Sequence, residues 1–460
     1  MCSPPKIRPV GALHRLWLIA VLAAAVIVGA CSGDEQDDAS TSSTPAETDA
    51  EASVEQVGYE VPPMHPSDWA APPAVLPDAP LPYGPSPAAT ADPAFYDVGT
   101  LDPRQVVDAE PGDVLRSESV ELSGPLAGTS GWRILYRSTD ADGSPAVVSG
   151  MVLAPDGAAP SEGRPVAAWA HGTTGLADRC APSATGNLFY DDYGAQARRL
   201  LDQGFVVAAT DYHGLGTPGV HGYHVSDELA LATIDSVAAA HDVDELGPLS
   251  STWVVVGHSE GGLAALVTDQ RADEAPPGLD YRGAVVAAPS ARLGSISEVM
   301  FGFPEGRGYG ALLLEAAAEL DPDLDPAVSL QPAAAAREAL LTHGCWEEAV
   351  PGFDDLDATE MLASAEVGAR LAEVLDECCT SDAGAAVGPL LVVHGEDDEA
   401  LPPVLTEQLV DELCAAGVAV EHRTYPGAGH DGVLAAAADD VGRWLADRLA
   451  GSGSPSICET

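Results

Sequence analysis

The feature that most constrains this chain is a series of short apolar runs that do not alternate. Val206-Val-Ala-Ala209 and Trp253-Val-Val-Val256 are apolar at every position, whereas a strand with one wet face alternates apolar and polar residues. Runs of this kind suit strands buried on both faces of a largely parallel sheet. Strands are expected at Arg133–Arg137, Ala146–Leu153, Pro165–Ala170, Phe205–Thr210, Trp253–Gly257, Gly283–Ala288, Leu390–His394 and Val418–Tyr425. Ala- and Leu-rich helical stretches lie between them, around Tyr193–Asp202, Asp227–His241, Gly261–Arg271, Pro403–Ala416 and Val433–Leu449. This rhythm predicts a doubly wound α/β fold. It breaks once. Between Ala288 and Leu390 lie about a hundred residues of helical pattern, best at Ala311–Leu320, Ala327–Leu341 and Met361–Leu375, where a βα connection normally takes about 2–6 residues. Residues 289–388 are therefore expected to be an inserted helical cap. It divides the core into residues 91–288 and 389–450, with a short tail at 451–460.

The first ninety residues do not fit the α/β pattern. Lys6, Arg8 and Arg15 precede an apolar run from Leu16 to Ala30, too short for a membrane-spanning helix of about 20 residues but suited to a secretory signal peptide over residues 1–30. The run ends Val28-Gly29-Ala30-Cys31. Small residues before a cysteine resemble a bacterial lipobox, in which Cys31 carries lipid. Residues 31–90 are acidic, rich in Ser, Thr and Pro, and without a basic side chain, which predicts a disordered tether. Across the chain, 71 acidic side chains face 20 basic ones. Such a surface repels nucleic acid and anionic membranes, so contact with a membrane is expected only through Cys31. The implied location is extracytoplasmic, lipid-anchored on the bacterial envelope or secreted.

Chemistry-bearing residues cluster at strand ends. Trp253-Val-Val-Val-Gly257-His258-Ser259-Glu260-Gly261-Gly262 carries a buried strand straight into Gly-x-Ser-x-Gly and then a helix. That turn requires small neighbours, and it projects the serine Oγ at a helix N-terminus. A nucleophilic serine needs a base and a carboxylate to orient it, in α/β-hydrolases in the chain order Ser, Asp or Glu, His. The acid lies in His394-Gly-Glu-Asp-Asp398, at the end of a strand, where His-Gly-x-x-Asp selects Asp398 and leaves Asp397 as runner-up. The base is His430, in Tyr425-Pro-Gly-Ala-Gly-His430-Asp431-Gly.

The oxyanion of acyl transfer needs two backbone N–H groups. One is expected from Glu260, after the nucleophile, and the other from His171-Gly-Thr-Thr-Gly175, at Thr173 with Thr174 as alternative. His171 itself is read as structural, and Asp211-Tyr212-His213-Gly-Leu-Gly216 as loop structure on the same rim. His221, His224 and His343 form no zinc-type pair, and no phosphate-cradling loop occurs. No metal, nucleotide or other cofactor is predicted.

These motifs, with Asp92-Pro-Ala-Phe-Tyr96, Glu110-Pro-Gly-Asp-Val-Leu-Arg116 and Cys180-Ala-Pro-Ser183, resemble the secretory, lipase A-like family within the α/β-hydrolases. The resemblance spans roughly residues 91–450. It implies a doubly wound, mostly parallel sheet under a helical cap, and lipase or esterase activity on acyl esters; the chain is expected to act as a monomer. It also suggests a disulfide between Cys180 and Cys345, which would leave Cys414 to pair with Cys378 or Cys379, Cys379 being preferred. Two other readings use the same sequence. A peptidase would want an acid pair such as Glu347 and Glu348 to hold an amino terminus, and a surface-binding lipoprotein would keep the fold without the chemistry.

Overall fold

A computed structural model describes Trp69 and residues 86–458, the side chain of Glu298 apart. The signal peptide, Cys31 and most of the tether lie outside these residues. The described residues fall in one unit, Tyr59–Thr460.

Nine strands form one sheet in the order β1-β2-β3-β5-β4-β6-β7-β8-β9. They are β1 Val114–Ser119, β2 Ser130–Thr139, β3 Pro145–Ala154, β4 Arg164–Ala170, β5 Val206–Thr210, β6 Leu249–His258, β7 Asp280–Ala287, β8 Leu390–Gly395 and β9 Val420–Tyr425. From β5 to β9 every neighbouring pair is parallel, while β1, β2 and β3 join antiparallel at one edge. The unbroken apolar runs have the predicted cause. Along β4, Val166, Ala168 and Ala170 enter one buried cluster, and Ala167 and Trp169 enter another. Val255 against Val254 and Val256, and Val392 against Leu391 and Val393, divide the same way. Successive side chains of a strand point to opposite faces, so both faces are covered. Each such Val or Leu contributes about 1.5–3 kcal/mol by leaving water.

One face is closed by α3 (Ser226–His241) and α4 (Glu260–Gln270), the other by α2 (Asp191–Asp202), α13 (Gly432–Ala436) and α14 (Ala438–Leu449), while α1 (Pro103–Asp108) precedes β1. The sequence predicted neither α1 nor β1. In β1, Val114-Leu-Arg-Ser-Glu-Ser119, only Leu115 is buried, so it carries no apolar run.

Between β7 and β8 the chain is helical: α5 Leu293–Met300, α6 Pro304–Ala317, α7 Pro326–Ser329, α8 Pro332–Ala335, α9 Glu338–His343, α10 Trp346–Ala349 and α11 Ala365–Cys378. The helix expected over Ala327–Leu341 is three short ones, because Pro332 has no N–H to donate to the preceding turn and opens a new helix instead. The last core helix before the tail divides at Ala437 into α13 and α14, and α12 (Pro403–Ala415) links β8 to β9.

Three disulfides staple this unit. Cys180 and Cys345 are bridged, with Cα atoms 5.5 Å apart. The expected partner of Cys414 is corrected: Cys414 pairs with Cys458, and Cys379 is bridged to its neighbour Cys378. The cause is the tail. Its Ile457 N–H donates to the Val420 carbonyl at 2.9 Å, which lays the chain's end beside β9 and brings Cys458 to the end of α12.

Candidate active site

Strand β6 delivers Ser259 to the mouth of the sheet. The residue adopts φ 59° and ψ −118°, a conformation that costs a non-glycine residue about 1–3 kcal/mol and persists only where its surroundings enforce it. They do so by crowding. A Cβ on Gly261 would lie 2.0 Å from the Ala170 carbonyl oxygen, so the glycine lets α4 start directly against the end of β4. The Ser259 N–H donates to the Ala287 carbonyl at 3.0 Å, and its carbonyl accepts from Gly262, the second glycine of the pair, at 2.9 Å.

Asp398 and His430 follow β8 and β9, and the turn brings both to Ser259. The Ser259 hydroxyl lies 2.8 Å from His430 Nε2, and His430 Nδ1 lies 2.8 Å from Asp398 Oδ2. A carboxylate only accepts, so Nδ1 carries the proton and Nε2 accepts from the serine. Asp398 has no exposed side-chain surface. Its Oδ1 accepts from the Ala400 and Leu401 amides at 2.9 and 2.7 Å. Its Oδ2 also meets His394 Nε2 at 3.0 Å. Burial alone would raise this carboxyl, but the hydrogen bonds from His394 and His430 hold it well below the usual carboxylate range. For His430, burial opposes the charged ring, yet the bond and charge of Asp398 outweigh it, and the imidazole titrates above an ordinary histidine. Asp397, the runner-up, is exposed, and its amide donates to the Ala428 carbonyl at 3.0 Å.

The loop after β4 lies against Ser259. A Cβ on Gly172 would stand 3.0 Å from the Ser259 Cβ and 2.5 Å from the Tyr193 hydroxyl, so glycine is what permits this approach. Thr173 follows, buried, with its hydroxyl 3.0 Å from that of Tyr223. Glu260 is the first residue of α4, and a first-turn N–H has no acceptor within its own helix. The alternative, Thr174, uses its carbonyl to accept from the Trp346 amide at 2.8 Å. Gly175 and Cys345 form a bridge of extended backbone beside the Cys180–Cys345 disulfide. The loop is thus tied to the helical insertion.

His171 is engaged by the Gly172 and Asp211 carbonyls at 2.7 and 3.4 Å, as a structural histidine would be. Asp211 gathers Ser149 Oγ at 2.7 Å, the Ser183 amide at 2.8 Å and the Ser183 hydroxyl, and that hydroxyl contact explains the serine of Cys-Ala-Pro-Ser. Sequence reasoning missed two histidines. His394 braces Asp398, and its His-Gly-x-x-Asp spacing was the available signal. His221 holds the Glu260 side chain at 2.9 Å, with no signal in the pattern. His258, His430 and Asp431 place possible ligand atoms within 4.8 Å of one another. Both ring nitrogens of His430 are already committed to Ser259 and Asp398, so this group belongs to the same site. Among the described residues no helix is long and apolar enough to cross a membrane.

An α/β sheet with a serine at a strained strand-to-helix turn, beside an imidazole and a buried carboxylate, is the architecture of the lipase-type α/β-hydrolases. Comparison agrees. The chain shares its fold with Candida antarctica lipase A in its closed state (TM-score 0.66, 19% identity, covering 81% of this chain and 89% of that one). It also shares it with a rice cell wall degrading esterase, LipA, of Xanthomonas oryzae (TM-score 0.62, 19% identity, 75% and 100%). Among sequences, it is 26% identical over 396 residues to a Mycobacterium tuberculosis protein named probable inactive lipase, covering 79% of this chain and 83% of the other. It is 24% identical over 414 residues to lipase A of Arthroderma benhamiae, covering 83% of each. The secretory lipase family model matches residues 191–456, and the chain belongs to that family.

Proposed function

We propose that the protein is a serine hydrolase of carboxylic esters acting through an acyl-enzyme. The observation that carries this reading is the unbroken chain of two 2.8 Å hydrogen bonds from Ser259 through His430 to Asp398. Ser259 Oγ attacks the acyl carbon as its proton passes to His430 Nε2. The Glu260 and Thr173 amides stabilise the oxyanion. His430 then protonates the departing alcohol, and in the second half it takes a proton from the water that releases the acid. Asp398 holds the ring in the required tautomer. Residues 289–388 act as a cap that shapes the acyl pocket, tied to the oxyanion loop through Cys180–Cys345.

Membership of a secretory family and three disulfides support an extracytoplasmic place. In this reading Cys31 is lipidated, and residues 31–90 hold a monomeric enzyme off the envelope. The peptidase reading gains no support from its acid pair. Glu348 is paired with Arg179 at 3.1 Å and accepts from the Cys345 amide at 2.8 Å, and Glu347 accepts from the Ser86 hydroxyl at 2.8 Å.

The word inactive in the name of the Mycobacterium tuberculosis relative makes turnover the point to test. The full-length chain and Ser259→Ala are assayed on p-nitrophenyl esters from acetate to palmitate, with aminoacyl arylamides alongside. Ester hydrolysis lost in the variant supports the proposal. Undiminished hydrolysis by Ser259→Ala, or cleavage of arylamides alone, refutes it.

A further inference from the structure

The residue after the nucleophile carries an unusual burden. In the serine-hydrolase mechanism, on which the role assigned here to His221 rests, Glu260 offers its amide to the oxyanion. Its side chain, however, is a buried carboxylate, 1% exposed. A bare negative charge there would oppose the negative charge that forms on the substrate oxygen. The side chain is not bare. Glu260 Oε1 lies 2.9 Å from His221 Nε2, and His221 Nδ1 lies 3.0 Å from the His213 carbonyl oxygen. Both groups facing the ring are acceptors when Glu260 is ionised, so satisfying them takes two N–H donors, which is imidazolium. The pair then carries no net charge. The Tyr212 ring lies parallel to His221, within 4° and 5.9 Å between centroids, and fixes its plane.

We propose that His221 is a positioning residue for ester hydrolysis: its imidazolium anchors and neutralises the Glu260 carboxylate, so that the Glu260 amide meets the oxyanion without an opposing charge beside it. Burial opposes charge on both partners, but each partner's attraction prevails, holding His221 above and Glu260 below their ordinary ranges. The other titratable groups facing the pair are His171 after β4, Tyr193 of α2, Tyr212 and His213 after β5, Tyr223 and His224 just before α3, and Glu228 in its first turn. None of these stands within hydrogen-bond distance of the Glu260 carboxylate as His221 does.

The test compares His221→Gln, Glu260→Gln and the double variant with the full-length protein on p-nitrophenyl butyrate. In His221→Gln the carboxyl stands alone, and burial, no longer offset by the imidazolium, raises it. As rising pH ionises it, kcat is expected to fall increasingly behind the parent, by about 10- to 100-fold in assays at pH 9, with KM held within about threefold. Adding Glu260→Gln removes the charge, and the double variant is expected to recover at least about fivefold of that loss. A merely structural role would make the double variant at least as slow as His221→Gln, and that result overturns the proposal. A kcat for His221→Gln within about threefold of the parent at pH 9 also overturns it. Should His221→Gln fail to fold, the double variant is compared with Glu260→Gln. The proposal expects agreement within about threefold, and a deficit beyond about tenfold contradicts it. Ser259→Ala runs in parallel. Activity persisting there refutes the assignment of the nucleophile, whatever the His221 variants do.

Discussion

Replacing Asp398 by asparagine probes the site at its most constrained atom. The carboxylate receives four donors: two backbone amides on Oδ1, and the His394 and His430 rings on Oδ2. Asparagine keeps one acceptor oxygen and turns the other position into a donor. If that oxygen stays on the amides of Ala400 and Leu401, its NH2 faces His430 Nδ1. The ring can meet an NH2 only by giving up its Nδ1 proton and carrying it on Nε2, where it can no longer accept from Ser259. Loss of the base in this way costs about 10³- to 10⁴-fold in kcat, or about 4–5.5 kcal/mol of barrier. The assay is kcat on p-nitrophenyl butyrate, with thermal unfolding recorded on the same preparations. Asp397→Asn is the matched control and is expected to stay within about threefold, since that side chain is exposed. A folded Asp398→Asn within about tenfold of the parent would refute the reasoning.

The raised His430 sets the acid limb of the pH–rate profile. The base works deprotonated, so kcat/KM should rise with pH through a midpoint above the ordinary 6.5 of histidine; a midpoint below 6 would contradict this. Stability should move the other way above pH 6. Burial pushes Glu228 up to about 8 and Asp235 and Asp269 up to about 7. A carboxyl raised on folding stabilises fully below its unfolded value and loses that contribution as pH climbs through its folded one. Scanning calorimetry should therefore show Tm falling from pH 6 to pH 8.5, with a shallower fall in Glu228→Gln and no change of slope if the reasoning fails. Removing the Cys180–Cys345 bridge, which closes a separation of 165 residues, should cost up to about 5 kcal/mol by the chain-entropy argument. Denaturant unfolding of Cys180→Ser/Cys345→Ser measures it, and an unshifted midpoint would show the bridge to be idle. Gly261→Ala should lower both kcat and Tm, because its Cβ would meet backbone at 2.0 Å, which cannot rotate away.

The parallel half of the fold was legible because burial on both faces leaves an unmistakable mark: Val166 through Ala170 must all be apolar or small, whichever cluster each enters. The edge strand β1 was not legible, since Ser117, Glu118 and Ser119 are exposed, Arg116 is polar and only half-buried, and only pairing with β2 makes them a strand. Ser259, Asp398 and His430 could be read because each stands at a strand end in a motif that the turn geometry demands. Cys414–Cys458 could not be read. Its partner is chosen by where the tail returns, through Ile457 and Val420, and nothing local to either cysteine encodes that path. The His221–Glu260 pair was hidden for the same reason. The two residues lie 39 positions apart, His221 on the loop before α3 and Glu260 at the first position of α4, and only packing shows that the glutamate of the elbow has an imidazole behind it.

The central claim, that Ser259 becomes acylated, is tested most directly by pre-steady-state hydrolysis of p-nitrophenyl acetate. A burst of p-nitrophenol approaching about one equivalent per chain is expected, absent in Ser259→Ala, with an acyl group recovered on the peptide that contains Ser259. A folded protein that turns over the ester without a burst and retains its rate in Ser259→Ala would contradict that claim.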